Sequence, residues 1–377
     1  QHMFIDSFKQ HFESVADPRQ SAKVTYPFFD ILFGSLCAVI AGAHGWFDIR
    51  EYLLGHHKWF LELGMFKAGI PADDTIARTI SAIKPEQFQA CFLKWMAAVH
   101  TLTQGELIAI DGKTLRGSYN REDRSSTIHM ISAYATANKL VLGQLKTDKK
   151  SNEITAIPEL LQLLDLQGAL VSIDAMACQT KIAKTIIEQK GDYLLAVKGN
   201  QGNLSKAVQQ AFSALRNDAS SLEALQTEKQ HGRIESRLCQ VLDASTLEGN
   251  FSRWKGLKTL AMITSFRTEK GKPVSMEYRY YISSKIMSAE QVASAVREHW
   301  AIESMHWVLD VSMQEDACQI YKDHAAENLA CLRHLALNML RAEPTKLSIV
   351  GKQKRCWMKT EHLEKVLIAG LSVSLKN

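Results

Sequence analysis

The chain has no run of 18 or more apolar residues, and its longest candidate, around Ile31 to Ala43, is too short and too polar at its flanks to cross a bilayer. No Cys-x-x-Cys pair occurs, and the seven cysteines are an odd number, which argues against both a disulfide framework and a structural zinc knuckle. These absences lead us to expect a soluble, cytoplasmic protein without membrane contact. Charge of one sign is also scarce. The 45 basic residues exceed the 40 acidic ones by only enough to give a net charge of +5, too little to establish a nucleic-acid partner but compatible with local basic patches. The segment Lys198-Gly199-Asn200-Gln201-Gly202 lacks the spacing of either glycine-rich phosphate-binding fingerprint and reads as a turn. Internal repeats and low-complexity segments are absent. The opening Gln1-His2-Met3 reads as a cloning scar ahead of a native start at Met3, with no secretion signal behind it.

What is present is apolar mass: 46% of 377 residues, enough for a large core divided among two or three domains. Residues 4–98 carry helix-period patterning through Ile31, Leu36 and Ile40, through Ile49 and Leu53, and through Phe88, Phe92 and Trp95. Within them Pro71-Ala72-Asp73-Asp74-Thr75 starts a helix backed by Ile76, Ile80 and Ile83. This third is expected to be a helical domain.

From Glu106 the pattern turns strand-like. Leu107 to Asp111, Ile128 to Ala135 and Leu140 to Leu145 are spaced as a meander of hairpins, followed by alternating helices and strands through Val197. The expected class is α/β, a mixed sheet flanked by helices, with its first part over 105–202. Residues 203–286 read as an inserted helix plus a β subdomain with strands at Glu235 to Leu242, Thr259 to Arg267 and Glu277 to Ser283. A long helix from Ala289 to about Met313 and another from Ala325 to Leu340 complete the core over 287–342, and 343–377 is a basic C-terminal segment.

Two apolar runs stop at an aspartate, Leu107 to Ile110 at Asp111 and Leu170 to Ile173 at Asp174. A carboxylate at a strand tip is aimed by rigid backbone and suits a hard cation, although polar residues also end strands as ordinary turn formers. On the long helix His299, Glu303, His306 and Asp310 fall at i, i+4, i+7 and i+11, one face at 100° per residue. That face is either solvated or aimed into a metal site, and the flanking Trp300, Ile302, Trp307 and Leu309 argue for partial burial. One more class stays open at this point, a small-substrate metallohydrolase built from these four groups. Three convergent carboxylates would repel one another without a cation, and oxygen-only ligation fits Mg²⁺, with Mn²⁺ as a substitute, rather than zinc.

The strings IAIDGKTLRGS, KSNEITAIPELL, SIDAMACQ, LLAVKGNQG, HGRIESR and HWAIESMHWVLDVSMQED occur in this order. Together, from about Phe8 to Leu340, the chain closely resembles the DDE transposases of ISAs-type insertion sequences, including the H-repeat-associated proteins. The resemblance implies an RNase H-like core with two divalent cations held by Asp111, Asp174 and Glu303. It departs from the tyrosine, arginine, glutamate and lysine signature of related transposases, whose positions fall here on Val296, His299, Glu303 and Asp310. His299, His306, Asp310, Glu315 and Asp316 are therefore auxiliary candidates, the last three as alternative third ligands. The implied partner is double-stranded DNA, both the terminal inverted repeats of an element and a target, with a dimer or larger assembly on DNA near the bacterial nucleoid. The reactions implied are strand cleavage and strand transfer, or, in a domesticated relative, DNA binding without mobility.

Lysine and arginine concentrate in Lys113 to Arg124, Lys146 to Lys150 and Lys346 to Lys365, either as solvated faces or as phosphate contacts. Candidates for DNA contact are Lys113, Arg116, Lys198, Asn200, His231, Arg233, Lys352, Lys354 and Arg355. Glu153 reads as a helix-start residue, a role that Ser151 or Asn152 fills equally well. The N-terminal helices are expected to read the element ends.

Overall fold

In the computed structural model, residues 3–100, 104–123, 126–147, 153–215, 222–230 and 233–371 are described. The first six helices are α1 (Met3–Phe12), α2 (Phe28–Ile40), α3 (Trp46–Gly55), α4 (His57–Glu62), α5 (Asp73–Ala82) and α6 (Pro85–Val99). α2 is apolar on nearly every side, and eleven consecutive residues from Asp30 to Ile40 are buried, so it serves as the central helix of this group. α6 starts at a proline, whose missing N–H costs nothing in a first turn.

A nine-stranded mixed sheet follows. β1 (Leu107–Leu115), β2 (Ile128–Ala135) and β3 (Leu140–Thr147) form the expected antiparallel meander. After α7 (Glu153–Gln162), β4 (Leu170–Ile173) returns parallel to β1; after α8 (Thr180–Glu188), β5 (Asp192–Val197) lies parallel to β4. α9 (Gly202–Leu215) leads to β6 (Leu222–Gln230), β7 (Arg233–Asp243), β8 (Thr259–Glu269) and β9 (Ser275–Ser283), all antiparallel. β9 pairs with β5, so the order is β3-β2-β1-β4-β5-β9-β8-β7-β6. The strands within 203–286 thus widen the same sheet instead of forming a separate layer.

Alternation along β1 divides the two faces. Ile108 and Ile110 share a core with Ile157, Leu160 and Leu161 of α7, whereas Leu107 and Ala109 belong to other cores. After the sheet come α10 (Ala289–His299), α11 (Ala301–Trp307) and α12 (Ala325–Ala342), and α13 (Ile349–Met358) and α14 (Thr360–Leu371) end the chain. One core joins α1 to α6 with Ile302, Met305 and Leu309 of the α11 region, with Leu335 of α12, and with Cys356 and Leu363 of the last two helices. Within the basic C-terminal segment, α13 and α14 are therefore packed helices. Among the described residues no helix is long and apolar enough to cross a membrane.

Two expectations change. The single helix from Ala289 to Met313 is three pieces, because Trp300 separates α10 from α11 and a π turn covers Val308–Ser312. Asp111 is not at the tip of its strand. β1 runs on to Leu115 because it stays paired with β2 from Asp111 opposite Ser132 to Leu115 opposite Ile128. What ends beside Asp111 is the neighbour: the last parallel rung with β4 is Ile110 opposite Ile173.

Candidate active site

The early end of β4 opens the sheet between Asp111, on the continuing strand, and Asp174, the residue just past Ile173. Glu303 lies in the first turn of α11 and is exposed. It lines a groove of about 280 Å³ with Asp174, His299, Trp300 and Lys198, while β9 supplies Arg279 to the same wall. Asp111 keeps 27% of its side chain exposed. Burial raises its carboxyl to about 7, and the negative charges of Asp174, Glu303 and Glu153 add to the rise against one backbone N–H bond from Gly112 that opposes it. Several acidic groups thus act together on Asp111 beside the groove.

Immediately beyond it the pattern reverses. Lys113, two residues on and on the same face of β1, is 8% exposed and its ammonium is shared by Asp310 and Glu315. Glu315 also accepts from Arg333 Nη1 at 3.1 Å. Burial pushes Glu315 upward, but Lys113 and Arg333 outweigh it and hold the carboxyl at about 2. Lys113 is thus a spent cation and not a free phosphate contact, and Asp310 and Glu315 are neutralised where a third metal ligand would have to be free. Asp316 lies 3.9 Å from the exposed Arg116.

The four ionisable groups expected on one helix face go to different neighbours, since the break at Trp300 and the π turn change their register. His299 Nδ1 is 2.9 Å from Ser172 Oγ, and burial lowers its pKa while Asp174 opposes the change. His306 is 8% exposed, with Nδ1 3.6 Å from Asp111 Oδ2 and Nε2 without a hydrogen-bond partner. Burial, helped by Lys113 and His334, pushes it down to about 3, so its ring is neutral at pH 7. Only Glu303 and His299 of the four reach the groove, and the histidine–carboxylate site of a small-substrate hydrolase is not assembled.

The remaining basic candidates divide in the same way. Lys198 is exposed at the groove. Asn200 instead donates its amide to the Ala175 carbonyl at 2.8 Å, tying down the turn that follows Asp174. Lys352 is buried, its ammonium donated to the carbonyls of Leu340, at 2.7 Å, and Glu343. Both were expected at DNA, and both are engaged within the fold. Arg233 pairs with Glu269, Lys354 and Arg355 are exposed on α13, and His231 lies outside the described residues, as do Ser151 and Asn152. Sequence reasoning did not anticipate the Arg279–Trp300 wall, where the guanidinium sits 5.4 Å from the ring centroid. Trp300 is 42% exposed beside Glu303, and a tryptophan set between His299 and Glu303 was the available signal.

Among the described residues no three histidine, cysteine or acidic side chains converge closely enough to cage a metal by themselves. The carboxylates nevertheless suit a hard divalent cation, being oxygen donors that are partly open to solvent.

Comparison with known proteins matches residues 102–339 to the Transposase DDE domain and residues 9–96 to the DDE_Tnp_1-associated domain. The H repeat-associated protein YhhI of Escherichia coli (strain K12) is 45% identical over 98% of this chain and its own whole length. YncI of Escherichia coli O157:H7 is 46% identical over 97% of this chain and 95% of its own. Both carry a provisional designation as transposases. Among solved structures, the piggyBac transposase synaptic complex with hairpin DNA aligns at 13% identity and a TM-score of 0.46, over 99% of this chain and 83% of that one, and nothing is assigned from it. With a family model spanning most of the residues and full-length relatives at this identity, the chain belongs to the DDE transposase family.

Proposed function

We propose that this protein is an insertion-sequence transposase that binds the ends of its element and cleaves and rejoins DNA strands at the groove between β1, β4 and α11. The observation that carries this reading is that Asp174 and Glu303 line one open groove beside Asp111, whose carboxyl, raised by burial, also feels the charge of both, while Asp310 and Glu315 next to it are paired with Lys113. In this reading the strand order β3-β2-β1-β4-β5 is an RNase H-like core, and β6 to β9 are an insertion that lengthens it.

Asp111 and Asp174 would hold one Mg²⁺ or Mn²⁺, and Asp111 and Glu303 a second. Bound there, such a pair lowers the pKa of an attacking water or 3′-hydroxyl and neutralises the leaving oxygen. The chain's own contribution is placement. β1 and β4 fix the two aspartates on rigid backbone, and neutral His306 packs against Asp111 without competing for its charge. Lys198 offers a cation to a phosphate entering the groove. Two element ends must be brought together, so a dimer or larger assembly on DNA is part of the proposal.

The test is a supercoiled plasmid carrying the element ends, incubated with protein and Mg²⁺, Mn²⁺ or EDTA, with Asp174→Ala in parallel. Metal-dependent breaks at the element boundaries, absent with the variant, are the expected result. Equal cutting by Asp174→Ala would refute the site, and end binding without any cutting would refute the catalytic assignment.

A further inference from the structure

The buried side of α11 is apolar except at one place. Ile302 and Met305 lie in the core shared with the N-terminal helices, with Leu309 one turn further on, and His306 is buried beside them. A histidine in such a position has an ordinary explanation, as a core residue whose two ring nitrogens find partners in the fold. His306 does not fit it. Among the described residues its Nε2 is buried with no hydrogen-bond partner, and its Nδ1 stands 3.6 Å from Asp111 Oδ2, just beyond hydrogen-bond length. An unpaired buried ring nitrogen costs free energy that a leucine filling the same space would not.

The ring's neighbours decide which nitrogen carries its proton. An ionised carboxylate only accepts, so a neutral imidazole facing Asp111 carries the proton on Nδ1 and turns the lone pair of Nε2 inward. His334 of α12 is also buried, its charge bears on His306, and its Nδ1 is a second ring nitrogen without a partner. A donor on one ring and an acceptor on the other are complementary, directly or across one buried water. His334 in turn lies within the influence of Glu315 and Arg333, which are ion-paired with each other, so the two histidines lead from Asp111 to the rigid charged cluster behind it. We propose that His306 is a positioning residue for Asp111, donating its Nδ1–H to Oδ2 in the metal-loaded site while His334 steadies the ring from behind. This rests on reading the groove as a metal-dependent DNA-cleaving centre. Hydrogen bonds to catalytic groups are commonly long before the site is filled and shorten when it is. A carboxylate held in this way offers its metal one orientation, and loss of such support typically lowers metal affinity or activity by about 10–100-fold.

Asparagine and glutamine separate the two ring nitrogens, because an asparagine amide can stand in for Nδ1 and a glutamine amide for Nε2. The full chain and its His306→Leu, His306→Asn and His306→Gln variants are compared by the electron paramagnetic resonance of free Mn²⁺, by gel shift on element-end DNA and by the cleavage rate at saturating DNA, with melts in EDTA to confirm folding. His306→Leu is expected to weaken Mn²⁺ about tenfold and to slow cleavage about 10–100-fold, with end binding unchanged. His306→Asn should restore most of both losses and His306→Gln neither. Rescue by His306→Gln and not by His306→Asn would overturn the proposal, by assigning the histidine to its buried side alone; this comparison decides the matter even where His306→Leu fails to fold. Wild-type Mn²⁺ affinity and cleavage in a folded His306→Leu, with Mn²⁺ lost in Asp111→Asn, would overturn it and leave the groove reading standing. Retention of Mn²⁺ by Asp111→Asn would remove the groove reading and this inference together.

Discussion

Two groups of carboxylates stand side by side on β1 and obey opposite electrostatics. Around Asp111, burial first and then the like charges of Asp174, Glu303 and Glu153 raise its carboxyl to about 7. Around Lys113, two residues further, Asp310 and Glu315 are met by Lys113 and Arg333, and Glu315 falls to about 2 in spite of complete burial. The strand, the exposed face and the residue types are nearly the same. What differs is the local environment: Lys113 and Arg333 reach Asp310 and Glu315, whereas burial and like charge dominate at Asp111, as the proposed metal site requires.

The largest effect that would break this contrast is catalytic. Asp111→Asn, Asp174→Asn and Glu303→Gln should each reduce metal-dependent cleavage of element-end DNA by about a thousandfold or more, with folding and end binding retained. Circular dichroism melts and a gel-shift assay on the same preparations separate this outcome from unfolding. A comparable loss of cleavage in a folded Asp310→Asn, with Glu303→Gln still active, would move the third ligand into the cluster now assigned to structure.

Next in size is the paired cluster. Lys113→Met strands Asp310 and leaves Glu315 with Arg333 alone, and it should cost about 3–5 kcal/mol in urea unfolding at pH 7. Adding Glu315→Gln should recover part of that loss, because the uncompensated buried charge is then gone. An exposed phosphate-binding lysine would show neither behaviour.

How much of this was legible in the sequence follows from the range of each signal. The meander, β4, β5 and most of the strands within 203–286 are visible because their apolar alternation is local. β6 escapes, since Glu223, Gln226 and Glu228 blur the period of a strand at the edge of the sheet. The break at Trp300 escapes because no proline or glycine lies near it, and the ordinary stop signals are missing. Asp111, Asp174 and Glu303 could be chosen from apolar runs, helix spacing and motif resemblance. The fate of Lys113 could not, because it is decided by Asp310 and Glu315, about two hundred residues downstream. The same holds for Lys352, held by the carbonyls of Leu340 and Glu343 and by the Glu343 carboxylate, and for Asn200, held on the Ala175 carbonyl, partners that composition cannot reveal.

A smaller effect sharpens the contrast through pH. The Asp111 carboxyl is raised from its ordinary value of 3.8 to about 7 in the metal-free fold, so the native state binds a proton that the unfolded chain has released. Its contribution is full below about 4 and is lost as the pH rises through 7. In EDTA the protein should therefore melt higher at pH 5.5 than at pH 8, with a difference of about 1–3 kcal/mol attributable to this group. Asp111→Asn should flatten that slope, and saturating Mn²⁺ should flatten it as well. A slope unchanged in Asp111→Asn would show that other groups set it; His306 and His334, both lowered by burial, act in the opposite sense, losing their contribution as the pH falls below about 6.5.

The smallest expected effect separates free from spent cations. Lys198 is exposed at the groove and has a phosphate to gain; Lys352 is buried on the carbonyls at the end of α12 and has none. Lys198→Gln should weaken binding to element-end DNA several-fold at moderate salt and lower the salt slope of log K by about one, with no loss of stability. Lys352→Gln should leave both affinity and slope alone while lowering the melting temperature, because it uncaps the α12 carbonyls. Exchange of these two outcomes would mean that DNA approaches from the α13 side, and the groove would then have to be fed by a path that does not pass Lys198.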